Sequence, residues 1–260
     1  MLEVKNLRTV FKNQDQDIVA VNDVSFTIPD NQMVGLVGES GSGKSITALS
    51  IINLLPPNGY ITNGEINWNG QDLLSLTESE KRYIRGREIG LIFQNPLAAL
   101  NPVFTIGNQM VETIKLHHGV ATAEAKDLAI DFLKKVKIPD PHIRINHYPH
   151  QFSIGMCQRI MIALTLSMNP TLLIADEPTA SLDVTIQAEI LDLLNELRNE
   201  YKLSILFISH DLSVVAQHCD HILVMYLGNL VEEGNPDQIF KSPQDPYTQK
   251  LISSIPIPPQ

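Results

Sequence analysis

Cysteine and tryptophan are scarce in this chain, with two of the first, Cys157 and Cys219, and one of the second. Neither cysteine stands in a C-x-x-C pair, so a disulfide framework, a thiol redox centre and a thiolate metal site all lack a sequence basis. A reducing compartment fits. Long apolar runs are missing as well: stretches such as Ile222-Leu223-Val224-Met225-Tyr226-Leu227 fall far short of the roughly 18 to 20 residues that span a bilayer. The first residues, Met1-Leu2-Glu3-Val4-Lys5, do not follow the basic-then-apolar pattern of a signal segment, so we expect a soluble chain that stays where it is made. Positive charge is also in deficit. The 19 Lys and Arg stand against 29 Asp and Glu, for a formal −10 with no basic stripe, which argues against a nucleic-acid partner because phosphate neutralisation needs clustered cations. Internal repeats and low-complexity tracts are absent too.

What is present points to one sizeable core. A length of 260 residues with 43% hydrophobic composition suits a single domain with an insertion. The most informative stretch is Gly38-Glu39-Ser40-Gly41-Ser42-Gly43-Lys44-Ser45, which fits G-x-x-x-x-G-K-[ST]. It follows the apolar run Met33-Val34-Gly35-Leu36-Val37 and precedes the helix-like Ile46-Thr47-Ala48-Leu49-Ser50-Ile51-Ile52. Strand, glycine loop, helix is the context that makes a phosphate-binding loop credible. Glycines let successive N–H groups turn inward, and the helix N-terminus adds partial positive charge. Lys44 would reach the β- and γ-phosphates, and the Ser45 hydroxyl would serve Mg²⁺.

The rest of the chain alternates between two textures. Residues 1–30 alternate in strand fashion, as in Leu2 to Leu7 and Val19 to Ile28, which predicts an antiparallel sheet. Short strands follow at Glu65 to Trp68 and Ile89 to Phe93, separated by the turn signal Asn69-Gly70 and a charged helix over 78–85. Between 104 and 170 the pattern turns helical, with Ile106, Met110 and Ile114 on one face and Leu128, Phe132, Leu133 and Val136 on another. From Thr171 the order strand, helix, strand returns, with Leu172 to Ala175, a helix from Thr185 to Glu200, and Ser204 to Ile208. That order predicts a parallel sheet flanked by helices. Pro256-Ile257-Pro258-Pro259 cannot continue a helix and is expected to fray.

A second constellation bears on the chemistry. Leu172-Leu173-Ile174-Ala175-Asp176-Glu177 reads as a buried strand that delivers two carboxylates at its carboxyl end, the edge where open α/β sheets bind ligands. Asp176 could hold Mg²⁺ through its water shell, and Glu177 could polarise a water that attacks the γ-phosphate. Alone, such a pair is often only a helix-capping turn. The strand from Ser204 likewise ends in Ser209-His210-Asp211; His210 is either a cap or a contact to the γ-phosphate.

Six motifs in order, Gly38 to Ser45, Phe93-Gln94-Asn95-Pro96, Phe152-Ser153-Ile154-Gly155-Met156-Cys157-Gln158-Arg159, Leu172 to Glu177, Ala180-Ser181-Leu182-Asp183 and Ile208 to Asp211, resemble those of an ABC ATPase. The resemblance covers essentially the whole chain. It implies an α/β P-loop core with an N-terminal antiparallel β-subdomain and an inserted helical subdomain: core over 1–103 and 171–235, helical and signature subdomain over 104–170, C-terminal tail over 236–260. It further implies ATP and Mg²⁺, and head-to-tail pairing of two such domains around the nucleotides. Gln94 would sense Mg²⁺ and the attacking water, Ser153, Ile154, Gly155, Met156 and Gln158 would form the signature, and Ser181 and Asp183 would reach across the dimer. Phe11 falls where the family places an aromatic against adenine, or it is an ordinary strand-end core residue.

The tail narrows the resemblance. Asn235 to Phe240 and Ser242 to Pro256, with Tyr148-Pro149-His150-Gln151 and the run from Glu177 to Thr185, look like the ATPases of oligopeptide, dipeptide and nickel importers. Such a subunit would sit peripherally on the cytoplasmic face of the membrane, with a second, different ATPase chain, two permeases and, indirectly, a solute-binding protein. Two departures stand out: Asp245 stands where that group usually has His, and the sequence reaches Gln260 without the cysteine-bearing extension of many peptide-importer members, whose absence leaves a nickel or metal-chelate importer open. A third lies in the signature, where Ile154 replaces the first of two glycines after Ser153. A β-branched side chain there should obstruct close approach to a phosphate, which predicts two ATP sites of unequal competence. A chromosome or repair ATPase would need a long coiled coil, yet only residues 46–152 separate loop and signature. A translation ATPase would carry two cassettes and basic segments, and a small-molecule P-loop kinase would not explain the signature.

Overall fold

The structure, a computed structural model, describes residues 1–255; the proline-rich end expected to fray lies outside them. Along the chain run β1 (Leu2–Phe11), β2 (Ile18–Ile28), β3 (Met33–Val37), α1 (Lys44–Ile51), β4 (Gly59–Trp68), β5 (Gln71–Asp72) and α2 (Glu78–Arg87). Then come β6 (Ile89–Ile92), α3 (Pro96–Ala99), α4 (Ile106–His118), α5 (Thr122–Lys135), α6 (Pro141–Arg144), a 3₁₀ turn at Pro149–Gln151, α7 (Ile154–Leu166), β7 (Leu172–Asp176) and α8 (Val184–Tyr201). The last are β8 (Ser204–Ser209), α9 (Leu212–His218), β9 (His221–Tyr226), β10 (Asn229–Gly234), α10 (Pro236–Lys241) and α11 (Pro246–Ser253). Two compact units divide the chain, 1–82 with 202–260 and 83–201.

The first unit holds two groups of strands. One is an antiparallel sheet in the order β2-β1-β4-β5, as the early alternation predicts; Leu2, Val4 and Leu7 are buried and Lys5 and Asn6 exposed. Its hairpin from β4 to β5 turns on Asn69 (φ 51°) and Gly70 (φ 87°), and φ > 0 at both central residues is what an Asn-Gly pair supplies. Strand β4 begins at Gly59, earlier than the Glu65 start read from the sequence, because its first half is wet on both faces and shows no alternation. The other group pairs β3 in parallel with both β8 and β9, and β9 antiparallel with β10. Every residue of β3 and β8 is buried, as expected of strands covered on both faces.

The second unit pairs β6 with β7 in parallel and carries most of the helices. Helix α4 is capped by Thr105, whose hydroxyl accepts from Asn108 N–H, and stops at the left-handed Gly119. Its face of Ile106, Met110 and Ile114 is buried as expected. The expected face of α5 needs correction: Leu128 and Phe132 are only half-buried, and the inward stripe is Ala125, Ala129, Ile130 and Leu133, followed by Val136. Two alanines there leave room for close helix contact, so the largest side chains are not the most enclosed.

Candidate functional site

In the first unit the phosphate loop is held from several sides. Val37 pairs with Ser209 at the ends of β3 and β8, so residues 38–45 and His210 leave the same carboxyl edge, the binding edge of such sheets. Gly43 precedes α1 at φ 105°, a conformation that glycine adopts without penalty. Gly38 packs so tightly that a Cβ there would lie 2.1 Å from the Met225 carbonyl oxygen. Lys44 is buried, and its Nζ donates to the Gly38 and Glu39 carbonyls at 2.8 and 3.0 Å. The Ser42 hydroxyl is also buried, without a hydrogen-bond partner. An orphaned hydroxyl is costly unless a ligand satisfies it, which together with the glycines and the helix N-terminus fits a bound phosphate. Glu39, Ser40, Gly41, Ser45 and His210 are exposed. The Asp211 carboxylate caps α9, accepting from Ser213 and Val214 N–H at 2.8 and 3.3 Å. Phe11 is half-buried at the end of β1, its ring against Gly59.

The second unit repeats this edge logic. Ile92 pairs with Ala175, so Gln94 and the Asp176-Glu177 pair leave the ends of neighbouring strands on one edge. Gln94 Nε2 donates to Glu177 Oε2 at 2.8 Å, a contact that the sequence did not announce. Glu177 is in the left-handed region, φ 45°, an unfavourable conformation for a side chain of its length that turns the chain sharply out of β7. Asp176 and Glu177 are half-buried. Ser181 and Asp183 are exposed, and Asp183 Oδ1 accepts from Ile186 N–H at 3.0 Å at the start of α8.

The signature residues separate into outward and inward groups. Ser153 caps α7, its Oγ accepting from Met156 N–H at 3.3 Å. Ile154, the first residue of α7, is 44% exposed, so its side chain does face outward. Gly155 lies against the Ile186 side chain, and Met156 is half-buried with its sulfur 3.8 Å from an Arg144 nitrogen. Gln158, one turn into α7, is 1% exposed with Nε2 unpartnered. Sequence reasoning passed over the ion pair between Arg159 and Glu189, 2.7 Å, and the contact of Tyr247 with the phosphate loop. Arg159 lies inside the quoted motif and could have been flagged as a buried cation; no spacing rule links residue 247 to residue 39.

The described residues contain no helix long and apolar enough to cross a membrane. The ABC transporter family model matches residues 21–180, and the model of the oligopeptide/dipeptide transporter C-terminal region matches 231–260. A putative peptide import ATP-binding protein of Brucella abortus (strain 2308) is 48% identical over 98% of this chain and 77% of its own length. The oligopeptide transport ATP-binding protein OppD of Bacillus subtilis (strain 168) is 47% identical over 98% of this chain and 72% of its own. Among solved structures, a dimeric post-hydrolysis state of an ATP-binding cassette bound to ADP and Pi superposes with a TM-score of 0.81 at 28% identity, covering 91% of this chain and 99% of that one. With the motifs ordered on this fold and relatives this similar along nearly its whole length, the chain belongs to the ABC transporter family, as one of its ATPase cassettes.

Proposed function

We propose that this cassette hydrolyses ATP to drive a membrane importer of oligopeptides or dipeptides. The hydrogen bond from Gln94 to Glu177 carries the hydrolytic reading, because it fixes a carboxylate of the kind that orients a water for attack on a γ-phosphate. Support for peptide as cargo is the match of residues 231–260 to the oligopeptide/dipeptide transporter C-terminal region, together with the names of the relatives. Asp245 caps α11, accepting from Tyr247 N–H at 2.8 Å, a local reason for Asp where that group usually has His.

In this reading the loop N–H groups and Lys44 bind the phosphates, Glu177 orients the water, His210 contacts the γ-phosphate and Phe11 stacks on adenine. Ser45, Asp176 and Gln94 offer oxygen donors, which suit Mg²⁺; when bound, the ion neutralises charge that develops on the phosphates. Ser153, Ile154, Gly155 and Met156, with Ser181 and Asp183, face a second ATPase chain. Two permeases receive the stroke at the cytoplasmic face of the membrane, and a solute-binding protein delivers the peptide. The test is ATP turnover and peptide uptake in the transporter reassembled with its permeases. Glu177→Gln should lower turnover about 10² to 10⁴-fold while ATP still binds. Turnover within tenfold of the parent overturns the assignment of Glu177, and uptake of nickel chelates in place of peptides overturns the cargo.

A further inference from the structure

The tail reaches the phosphate loop within the first unit. Tyr247, in the first turn of α11, accepts a hydrogen bond through Oη from Glu39 N–H at 2.9 Å. That N–H and the Gly38 carbonyl, which accepts from Lys44 Nζ at 2.8 Å, are the two ends of one peptide plane. The phenol and the ammonium therefore grip a single rigid unit at the start of the loop from opposite sides. An acceptor on the N–H also polarises the carbonyl and strengthens its bond to the ammonium.

The phenol is itself well anchored. Tyr247 is 8% exposed and stacks on Tyr226 with ring centroids 4.1 Å apart. Burial pushes its hydroxyl pKa up, so the group is neutral under ordinary conditions. Its helix is tied to β10 by Glu232, whose carboxylate oxygens accept from Gln244 and Asp245 N–H at 2.8 and 3.0 Å. Lys250 Nζ lies 3.8 Å from Glu39 Oε1, an exposed pair that contributes little.

We propose that Tyr247 is a positioning residue for nucleotide binding: by pinning the Gly38–Glu39 peptide it sets the shape of the phosphate loop and the place of Lys44, so docking of the C-terminal helix tunes ATP affinity. This inference rests on reading residues 38–45 as the ATP site. It makes the tail part of the nucleotide machinery through the loop backbone.

The test uses the full chain with Tyr247→Phe, which keeps the ring and its stack and removes only the hydroxyl. Titration with a fluorescent ATP analogue should give a dissociation constant raised roughly two- to tenfold, the worth of one neutral hydrogen bond. In steady-state hydrolysis KM for ATP should rise similarly while kcat stays within about twofold. Asp245→Ala, which loosens the cap of α11 without touching the loop, should shift affinity the same way by less. Lys250→Ala should leave it unchanged. Lys44→Ala run in parallel separates the two readings. If Lys44→Ala abolishes binding while Tyr247→Phe and Asp245→Ala leave it unaltered, or if Tyr247→Phe lowers kcat alone, the tail proposal is overturned. If Lys44→Ala itself leaves binding intact, the ATP-site reading fails instead.

Discussion

The phosphate loop and the signature turn do opposite things with glycine and burial. Around residues 38–45 the neighbours are mostly backbone: the Met225 carbonyl crowds Gly38, the Ser42 carbonyl accepts from Gly228 N–H at 2.9 Å, and the Lys44 ammonium is held by two carbonyls of its own loop. Around residues 153–156 the neighbours are side chains, the helix is capped by a single serine, and an isoleucine stands half in solvent. A loop that binds phosphate through its own shape must be preset before the ligand arrives. Under the proposed pairing of two chains, a turn that presents groups to its partner can leave part of its shape to that partner.

Adding one methyl group to each region should expose this difference. Ala at position 38 would drive its Cβ into backbone, 2.1 Å from an oxygen that belongs to a strand end and cannot rotate away. Overpacking of that kind costs about 1 to 3 kcal/mol, and Gly38→Ala should lower Tm by several degrees and impair ATP binding. Ala at position 155 would meet the Ile186 Cγ2 methyl at 2.7 Å, part of a half-buried side chain near the start of α8 and not backbone, and alanine favours a helix more than glycine by about 1 kcal/mol. Gly155→Ala should therefore shift Tm far less. Equal losses in thermal denaturation would break the contrast between a rigid and an adaptable loop.

The same contrast explains what the sequence discloses. The strand, glycine loop and helix of the phosphate site were legible because one local pattern encodes them: apolar run, glycines, Lys44, Ser45. Strands β1 and β2 of the first sheet followed from alternation, and the Asn69-Gly70 turn from its φ requirement. Glu177 and Gln94 were legible as candidates, but their mutual hydrogen bond was not, since it depends on the pairing of β6 with β7 and on the left-handed twist at Glu177. The buried stripe of α5 was misread because helix contact there is governed by alanines, which hydrophobic periodicity weights weakly. Tyr247 stayed invisible because its partner is a backbone amide 208 positions away.

A smaller effect is expected from pH, and it separates the second unit from the first. His117 is half-buried with Nδ1 unpartnered; burial, then Arg87, then His118 depress its pKa below the usual histidine value. The unfolded chain accepts this proton near pH 6.5 and the folded chain only at lower pH, so the neutral imidazole stabilises fully above that value and stability falls as pH drops below it. Tm should decline from about pH 7.5 to 5.5 more steeply in the parent than in His117→Gln. Parallel slopes would show that the enclosed imidazole is not the titrating group.

Ile154→Gly should have the smallest effect on stability and the most selective effect on function. The side chain is 44% exposed at the first position of α7, so its removal forfeits little packing, and glycine at a helix end costs less than the roughly 1 kcal/mol of a helix interior. Tm should move by no more than a degree or two. Functionally, under the proposed pairing of two chains, the isoleucine stands beside the γ-phosphate held by the partner's loop, where a β-branched group keeps backbone N–H donors at a distance. Its removal should raise ATP occupancy or turnover at that site and leave the site that uses Lys44 little changed, because the signature of the latter comes from the other chain. Turnover in assembled complexes, with one catalytic glutamate disabled at a time, reads the two sites separately. Equal activity at both sites before the substitution, or no one-sided gain after it, would mean that Ile154 is merely accommodated at the surface and that the signature turn is as functionally complete as the phosphate loop.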